Sequence, residues 1–198
     1  MINSCPTPPC GNPHLPDGAQ LIPLSMHQEP RGIFTEVFRE SWDVVKPPVQ
    51  WNVVRSNPTV LRGVHVHHTH WDFLIILDGE ALIQLHDMRV HSPSYTNSCS
   101  LSLSGTKLQA LVIPPGVAHG FYFSTSAVHL YSVSSYWDTA DELGCRFDDP
   151  ALNISWPNCQ PILSPRDATL GDYQVLSCAL APHQERLMPP DMSRAANS

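Results

Sequence analysis

Apolar and polar residues alternate over short stretches of this chain, and turn-forming residues separate the stretches. The segments "GIFTEVF" (32–38), "VQWNVV" (49–54), "ALIQLHDMRV" (81–90), "CSLSLSG" (99–105), "LQALVI" (108–113), "GFYFST" (120–125) and "VHLYSVS" (128–134) predict strands. Successive side chains of a strand point to opposite faces, so alternation marks a strand with one face in a core. "FLIIL" (73–77) is apolar throughout and predicts a buried strand that ends at Asp78-Gly79. Asp78-Gly79, Ser104-Gly105 and Pro114-Pro115-Gly116 supply turn punctuation. Helical periodicity is weak except near Thr139 to Leu143. Many short strands at this spacing predict an antiparallel sandwich or barrel, and no internal repeat of fixed period is present.

Composition narrows the picture. A chain of 198 residues, 42% apolar and 15% charged, fits one globular domain with a sizeable core. The expected division is a Pro-rich mobile arm over 1–20, a β domain over 21–175, and a C-terminal extension with a mobile tail over 176–198. Net charge is -7, with only Lys46 and Lys107 as lysines and no basic run, which argues against nucleic acid as a partner. "MINSCPTPPCGNPHLPDG" has neither a basic start nor an apolar core, and no later stretch suits a membrane span, so a cytoplasmic location is expected. Cys5, Cys10, Cys99, Cys145, Cys159 and Cys178 are irregularly spaced and contain no CxxC pair; reduced thiols are expected.

The stretch "RGVHVHHTHWD" (62–72) holds four of the eleven histidines. Two chemistries suit such crowding: a metal site, or a general base in a polar pocket. On a strand, His65 and His67 share a face, and "HTHW" reads as the loop that follows.

The HxH pair, Asp72 five positions after it and Gly79 seven further on resemble the first cupin signature, and "PPGVAH" (114–119) resembles the second. A closer resemblance spans about residues 28 to 170. "RGIFTEVF", "VQWNVVRSNPTVLRGVH", "GEALIQLHDMRVHSPSY", "VIPPGVAHGF", "LYSVSSYW", "DDPALNISWP" and "LSPRD" are similar, in order, to segments of the dTDP-4-dehydrorhamnose 3,5-epimerase family. The resemblance implies an all-β cupin fold, a double-stranded β-helix or jelly-roll barrel with short helices near the C-terminus. It also implies an isomerase that removes and returns protons beside the ketone of a nucleotide-linked 4-keto-6-deoxy sugar, without metal or cofactor, in a homodimer.

The family's roles fall on particular residues here. The resemblance places the base at His65, the acid that orients it at Asp167, and the proton-returning phenol at Tyr131. Histidine titrates near working pH, as a base should. Substrate binding falls on Arg31, Glu36, Gln50, Asn52, Arg62, His119, Tyr136, Glu142 and Arg166. Arg31 and Arg62 suit a diphosphate, and Arg31 is expected to serve the neighbouring subunit. Two positions depart from the family: Asp72 stands where a lysine is usual, and His67 where a glutamine is usual. Lysine stabilises charge on the keto oxygen, which an anionic aspartate cannot do. Arg62 or a protonated His67 is expected to take over, with His67 or His70 as the cationic partner of Asp72.

Other readings stand beside this one. His65, His67, Asp72 and His119 also make a three-histidine, one-carboxylate set for a metal-dependent oxygenase or isomerase. A binding protein that has lost turnover is a third reading, since the lysine is gone. His68 and His70 read as solvated loop residues, Trp71 and Trp156 as packing, Asp87 and Arg89 as a structural pair, and Gly63 and Gly79 as turn or packing glycines.

Overall fold

The computed structural model describes residues 14–42 and 46–187. The first thirteen residues and the C-terminal "PPDMSRAANS" segment (189–198), assigned above to an arm and a tail, lie outside them. Two five-stranded antiparallel sheets face each other. One runs β1 (Gln20–Pro23), β9 (Gln109–Ile113), β6 (Asp72–Asp78), β11 (Ala127–Val133), β4 (Gln50–Ser56); the other runs β12 (Leu143–Gly144), β5 (Val60–Val66), β10 (Val117–Phe123), β7 (Glu80–Asp87), β8 (Ser98–Ser104). A hairpin of β2 (Met26–Glu29) and β3 (Gly32–Thr35) stands apart. The arrangement is a cupin-type jelly roll. β1 and β2 lie in segments where alternation predicts no strand. β1 exists because it pairs with β9, from Gln20 opposite Val112 to Pro23 opposite Gln109.

Leu74, Ile76, Ile83, Leu85, Leu101, Leu103, Leu111, Ile113 and Phe123 fill the space between the sheets. "FLIIL" is apolar on both sides because β6 is covered twice. Leu74 and Ile76 face the barrel interior, while Phe73 and Ile75 pack outward with Leu24, Ala110 and Val112. The outer face of the second sheet is sealed by α1 (Tyr173–Leu180), whose N-cap Asp172 accepts the Val175 N–H at 2.9 Å. Leu176 and Leu180 are fully buried against Leu61, Val64, Val66 and Trp156, each contributing about 1.5–3 kcal/mol by burial. Cys99 and Cys145 are buried free thiols. Asp87 and Arg89 form a buried ion pair at 2.8 Å, joined by the Ser92 and Ser94 hydroxyls. Among the described residues no helix is long and apolar enough to cross a membrane.

The interior is not apolar throughout. On β6 the inward positions run Asp72, Leu74, Ile76, so polar groups collect at one end of the barrel and leave an open pocket of about 260 Å³.

Candidate active site

Residues from both sheets line that pocket, among them Gln50, Asn52, Arg62, His65, His67, His70, Asp72, His119, Tyr131, Glu142, Arg166 and Asp167. Simple alternation would put Arg62 and His65 on opposite faces of β5. A bulge resolves this. His119 pairs with His65, and Phe121 with Arg62, so two steps on β10 match three on β5. The extra residue turns Arg62, His65 and His67 to the same side, while Leu61, Val64 and Val66 face the α1 side.

His65 and Asp167 are 102 positions apart and meet through neighbouring contacts. Ile162 N–H donates to the Thr59 carbonyl, and Leu61 N–H donates to that of Ile162, which ties "LSPRD" to the start of β5. Nε2 of His65 lies 2.7 Å from Asp167 Oδ1. The imidazole therefore donates from Nε2, and Nδ1 is left as the basic nitrogen. Asp167 also accepts the Gly63 N–H at 3.4 Å. Burial pushes this carboxyl up, but the contacts with His65, Gly63 and Ser164 outweigh it and leave it below its ordinary value. It is an anion at neutral pH, the form that orients a base and stabilises its imidazolium. Tyr131, on β11 opposite Asn52, has its phenol raised by burial and by the charges of Asp72 and Glu142. It stays protonated and can give a proton.

The histidine loop is pinned at both ends. Gly116 N–H donates to the His67 carbonyl at 2.8 Å, and Trp71 N–H to Ser134 Oγ at 3.0 Å. β12 pairs with β5 and brings Asp141 and Glu142 alongside. Asp141 accepts the His68 N–H at 2.6 Å and the Thr69 hydroxyl, and its Oδ2 is 2.9 Å from His70 Nδ1 as an ionic contact. His70 is 2% exposed, which corrects the expectation of a solvated loop histidine: Asp141 gives it a buried partner. Burial opposes the charge on His70, but Asp141, Asp72 and Glu142 overcome that and raise its pKa.

His67 behaves in the opposite way. Burial, then the His70 charge, lowers it to about 3, and the two rings stack with centroids 4.0 Å apart. Of the two rings, His70 is the one whose surroundings favour the added proton. This corrects the expectation that a protonated His67 replaces the lysine. Asp72 is 7% exposed, with Oδ1 3.8 Å from His70 Nε2 and Oδ2 4.0 Å from His67 Nε2. Its partner is thus His70, as one of the two expectations held.

Arg31, Glu36 and Tyr136 fall outside the pocket of their own chain. Arg31 is 84% exposed on the β2–β3 turn and pairs with Glu29. Glu36 pairs with Arg39 and lines a separate cavity with His27 and Trp42. Tyr136 is 75% exposed, whereas Trp137 lines the pocket and donates its N–H to Gln50 Oε1 at 3.0 Å. Arg166 is bound to the Glu142 carboxylate and carbonyl. His129 and Phe121 also line the pocket. Both were legible from alternation, His129 two positions before Tyr131 and Phe121 two after His119. Burial, then the Arg62 charge, lowers His129 to about 4.

Of the four-residue metal set, three members come together and His65 is not among them. The donor atoms of His67, Asp72 and His119 lie within 4.8 Å of one another. Their His67–Asp72 separation of 4.0 Å exceeds the roughly 3.0–3.4 Å between neighbouring ligands of an ion with bonds of about 2.0–2.1 Å.

The family profile described as dTDP-4-dehydrorhamnose 3,5-epimerase matches residues 15–174. A dTDP-4-dehydrorhamnose 3,5-epimerase of Shigella flexneri is 32% identical over 146 residues, 69% of this chain and 81% of that protein. One of Neisseria gonorrhoeae is 33% identical over 161 residues; they cover 77% of this chain but 49%, about half, of that protein's length. A crystal structure of dTDP-6-deoxy-D-glucose-3,5-epimerase from Legionella pneumophila, in complex with dTDP-4-keto-L-rhamnose, superposes with TM-score 0.76 at 31% identity, covering 83% of this chain and 92% of that one. A 3'-monoepimerase from Streptomyces bikiniensis in complex with dTDP-quinovose gives 0.75 at 26% identity, covering 88% and 98%.

Proposed function

This chain belongs to the dTDP-4-dehydrorhamnose 3,5-epimerase family, and we propose that it epimerises a nucleotide-linked 4-keto-6-deoxy sugar at a carbon beside the ketone. The observation that carries this reading is the His65–Asp167 pair, at 2.7 Å, in one pocket with the protonated Tyr131. His65 takes the proton from carbon, the electrons move to the ketone oxygen as an enolate, and Tyr131 returns a proton to the other face. No redox partner is needed. Arg62 donates Nε–H to Ser56 Oγ at 3.0 Å and offers its remaining N–H groups to the anionic part of the substrate. Gln50, Asn52 and Arg166 complete the sugar-nucleotide wall.

The test is incubation with dTDP-4-keto-6-deoxyglucose in deuterium oxide. Deuterium on a ring carbon next to the ketone, with calorimetric binding of dTDP, is expected. A chain that incorporates no deuterium would sink this reading.

The working unit is a homodimer in this proposal. Ile33 and Phe34 on the separate hairpin are each 58% exposed, and Trp51 and Val53 on edge strand β4 are 41% and 62% exposed. Apolar groups displayed on a hairpin and an edge strand suit a partner surface, and Arg31 on the same hairpin would reach the partner's site. Light scattering at micromolar concentration is expected to give twice the chain mass of 22.0 kDa; a monomer would refute the dimer.

A further inference from the structure

An enolate needs a hydrogen-bond donor at its oxygen; in this pocket the Arg62 terminal N–H groups and Asn52 Nδ2 are unpaired, while most other groups are engaged. His67 donates Nδ1–H to the Asp141 carbonyl and His119 donates Nδ1–H to that of Val117, both at 3.1 Å. A carbonyl only accepts, so each ring keeps its proton on Nδ1 and presents a bare Nε2. Arg166 is held by Glu142, and the Gln50 amide donates to Asn52 Oδ1 at 3.1 Å. The Asp72 carboxyl sits among these groups, its oxygen within 4.8 Å of both the His67 and His119 donor atoms. Three lone-pair groups facing one another away from water are costly unless something positive lies between them. A proton on the carboxyl is the smallest such thing.

We propose that Asp72 works as a neutral carboxylic acid whose O–H donates to the developing enolate oxygen, with His70 and Asp141 as positioning residues behind it. The proposal rests on the epimerase reading above. The groups facing Asp72 are His65 and His67 from β5 and its end, His70 from the loop, His119 from β10, Tyr131 from β11, and Asp141 and Glu142 from the segment before β12. Burial is the largest influence and pushes the carboxyl up, Glu142 and Asp141 add to it, His70 opposes it, and the result is about 7. In the reaction the carbon–hydrogen bond breaks toward His65, and the electron pair reaches the ketone oxygen, where the Asp72 O–H meets it. The ketone reforms as Tyr131 delivers its proton to carbon. One proton leaves and one arrives; solvent resets His65 and Tyr131. A buried acid kept neutral by its surroundings is an established device for oxyanion stabilisation.

The test uses the intact chain with dTDP-4-keto-6-deoxyglucose in deuterium oxide, reading exchange rate against pH and dTDP affinity by calorimetry. Wild-type exchange is expected to fall as pH rises through about 7, where Asp72 loses its proton. Asp72→Leu removes the donor and is expected to lose about 10²–10³-fold in rate with dTDP affinity kept. Asp72→Asn keeps an N–H donor; it is expected to stay within about tenfold of wild type and to lose the alkaline fall. His70→Gln removes the cation that favours ionised Asp72, so the fall should move to higher pH. A purely structural His70 would lower the rate without moving the profile, and that result counts against the proposal. Wild-type rates in Asp72→Leu would hand the role to Arg62 and overturn the proposal. So would an Asp72→Asn as inactive as Asp72→Leu while dTDP still binds, or exchange that stops with chelator and returns with a divalent cation. A wild-type chain that exchanges no deuterium overturns the epimerase reading itself; one that exchanges beside discordant Asp72 variants overturns this proposal alone.

Discussion

His65→Asn is expected to lose solvent-deuterium incorporation by about 10²- to 10⁴-fold, the usual contribution of a positioned base, and to keep its affinity for dTDP. The asparagine side chain fits within the space of the imidazole, although its amide is too short to replace the Nε2 contact with Asp167, so the fold and the nucleotide site should survive. What disappears is a ring nitrogen that can take the proton from carbon. Asp167→Asn is the informative companion. Asp167 is held below its ordinary pKa despite burial, by His65, the Gly63 N–H and the Ser164 hydroxyl. The amide can keep His65 roughly in place but brings no negative charge to favour the imidazolium, so its loss should be smaller than that of His65→Asn. Single-turnover exchange followed by mass spectrometry separates the two. If His65→Asn exchanges at the wild-type rate, the assignment of the base is wrong.

Gly63→Ala should be the most damaging small substitution in the site. Gly63 sits at the β5 bulge with φ of +124°, and a Cβ there would lie 2.8 Å from both Gly120 Cα and the His119 carbonyl oxygen. Those neighbours are backbone of the paired strand and cannot rotate away. Backbone strain of about 1–3 kcal/mol joins overpacking of about 1–3 kcal/mol, against a typical total stability of about 5–15 kcal/mol. A fall in melting temperature of about 5–20 °C is expected, together with loss of exchange, because the bulge sets the facing of Arg62 and His65. Gly32→Ala is the control. Gly32 has φ of +138°, but a Cβ there meets nothing within 4 Å, so only the conformational cost applies. Scanning fluorimetry on both variants is the check, and equal melting temperatures would mean that the contact between β5 and β10 is not rigid.

The sequence alone determined what depends on neighbours along the chain. Period-two alternation placed β4 and β7 to β11 close to their positions, and the uninterrupted "FLIIL" announced β6 as a buried strand. The quoted motifs assigned His65, Asp167 and Tyr131 through a family resemblance, and the pocket unites all three. The tertiary structure alone decided what depends on distant pairing. β1 is a strand only because β9 lies beside it. Arg62 joins His65 only because one extra residue is accommodated opposite β10, a slip that no local period records. Glu36 and Tyr136, carried over from motifs, lie away from the pocket of their own chain because a motif fixes the order of residues and not the direction in which a hairpin or loop carries them. His70 read as a loop residue, since nothing near it in sequence shows that Asp141, 71 positions later, comes within 2.9 Å. Its charge, the neutrality of His67 and the raised carboxyl of Asp72 all follow from that meeting. Burial and charge are set by what folding brings together across the barrel, and local sequence carries no signal of either.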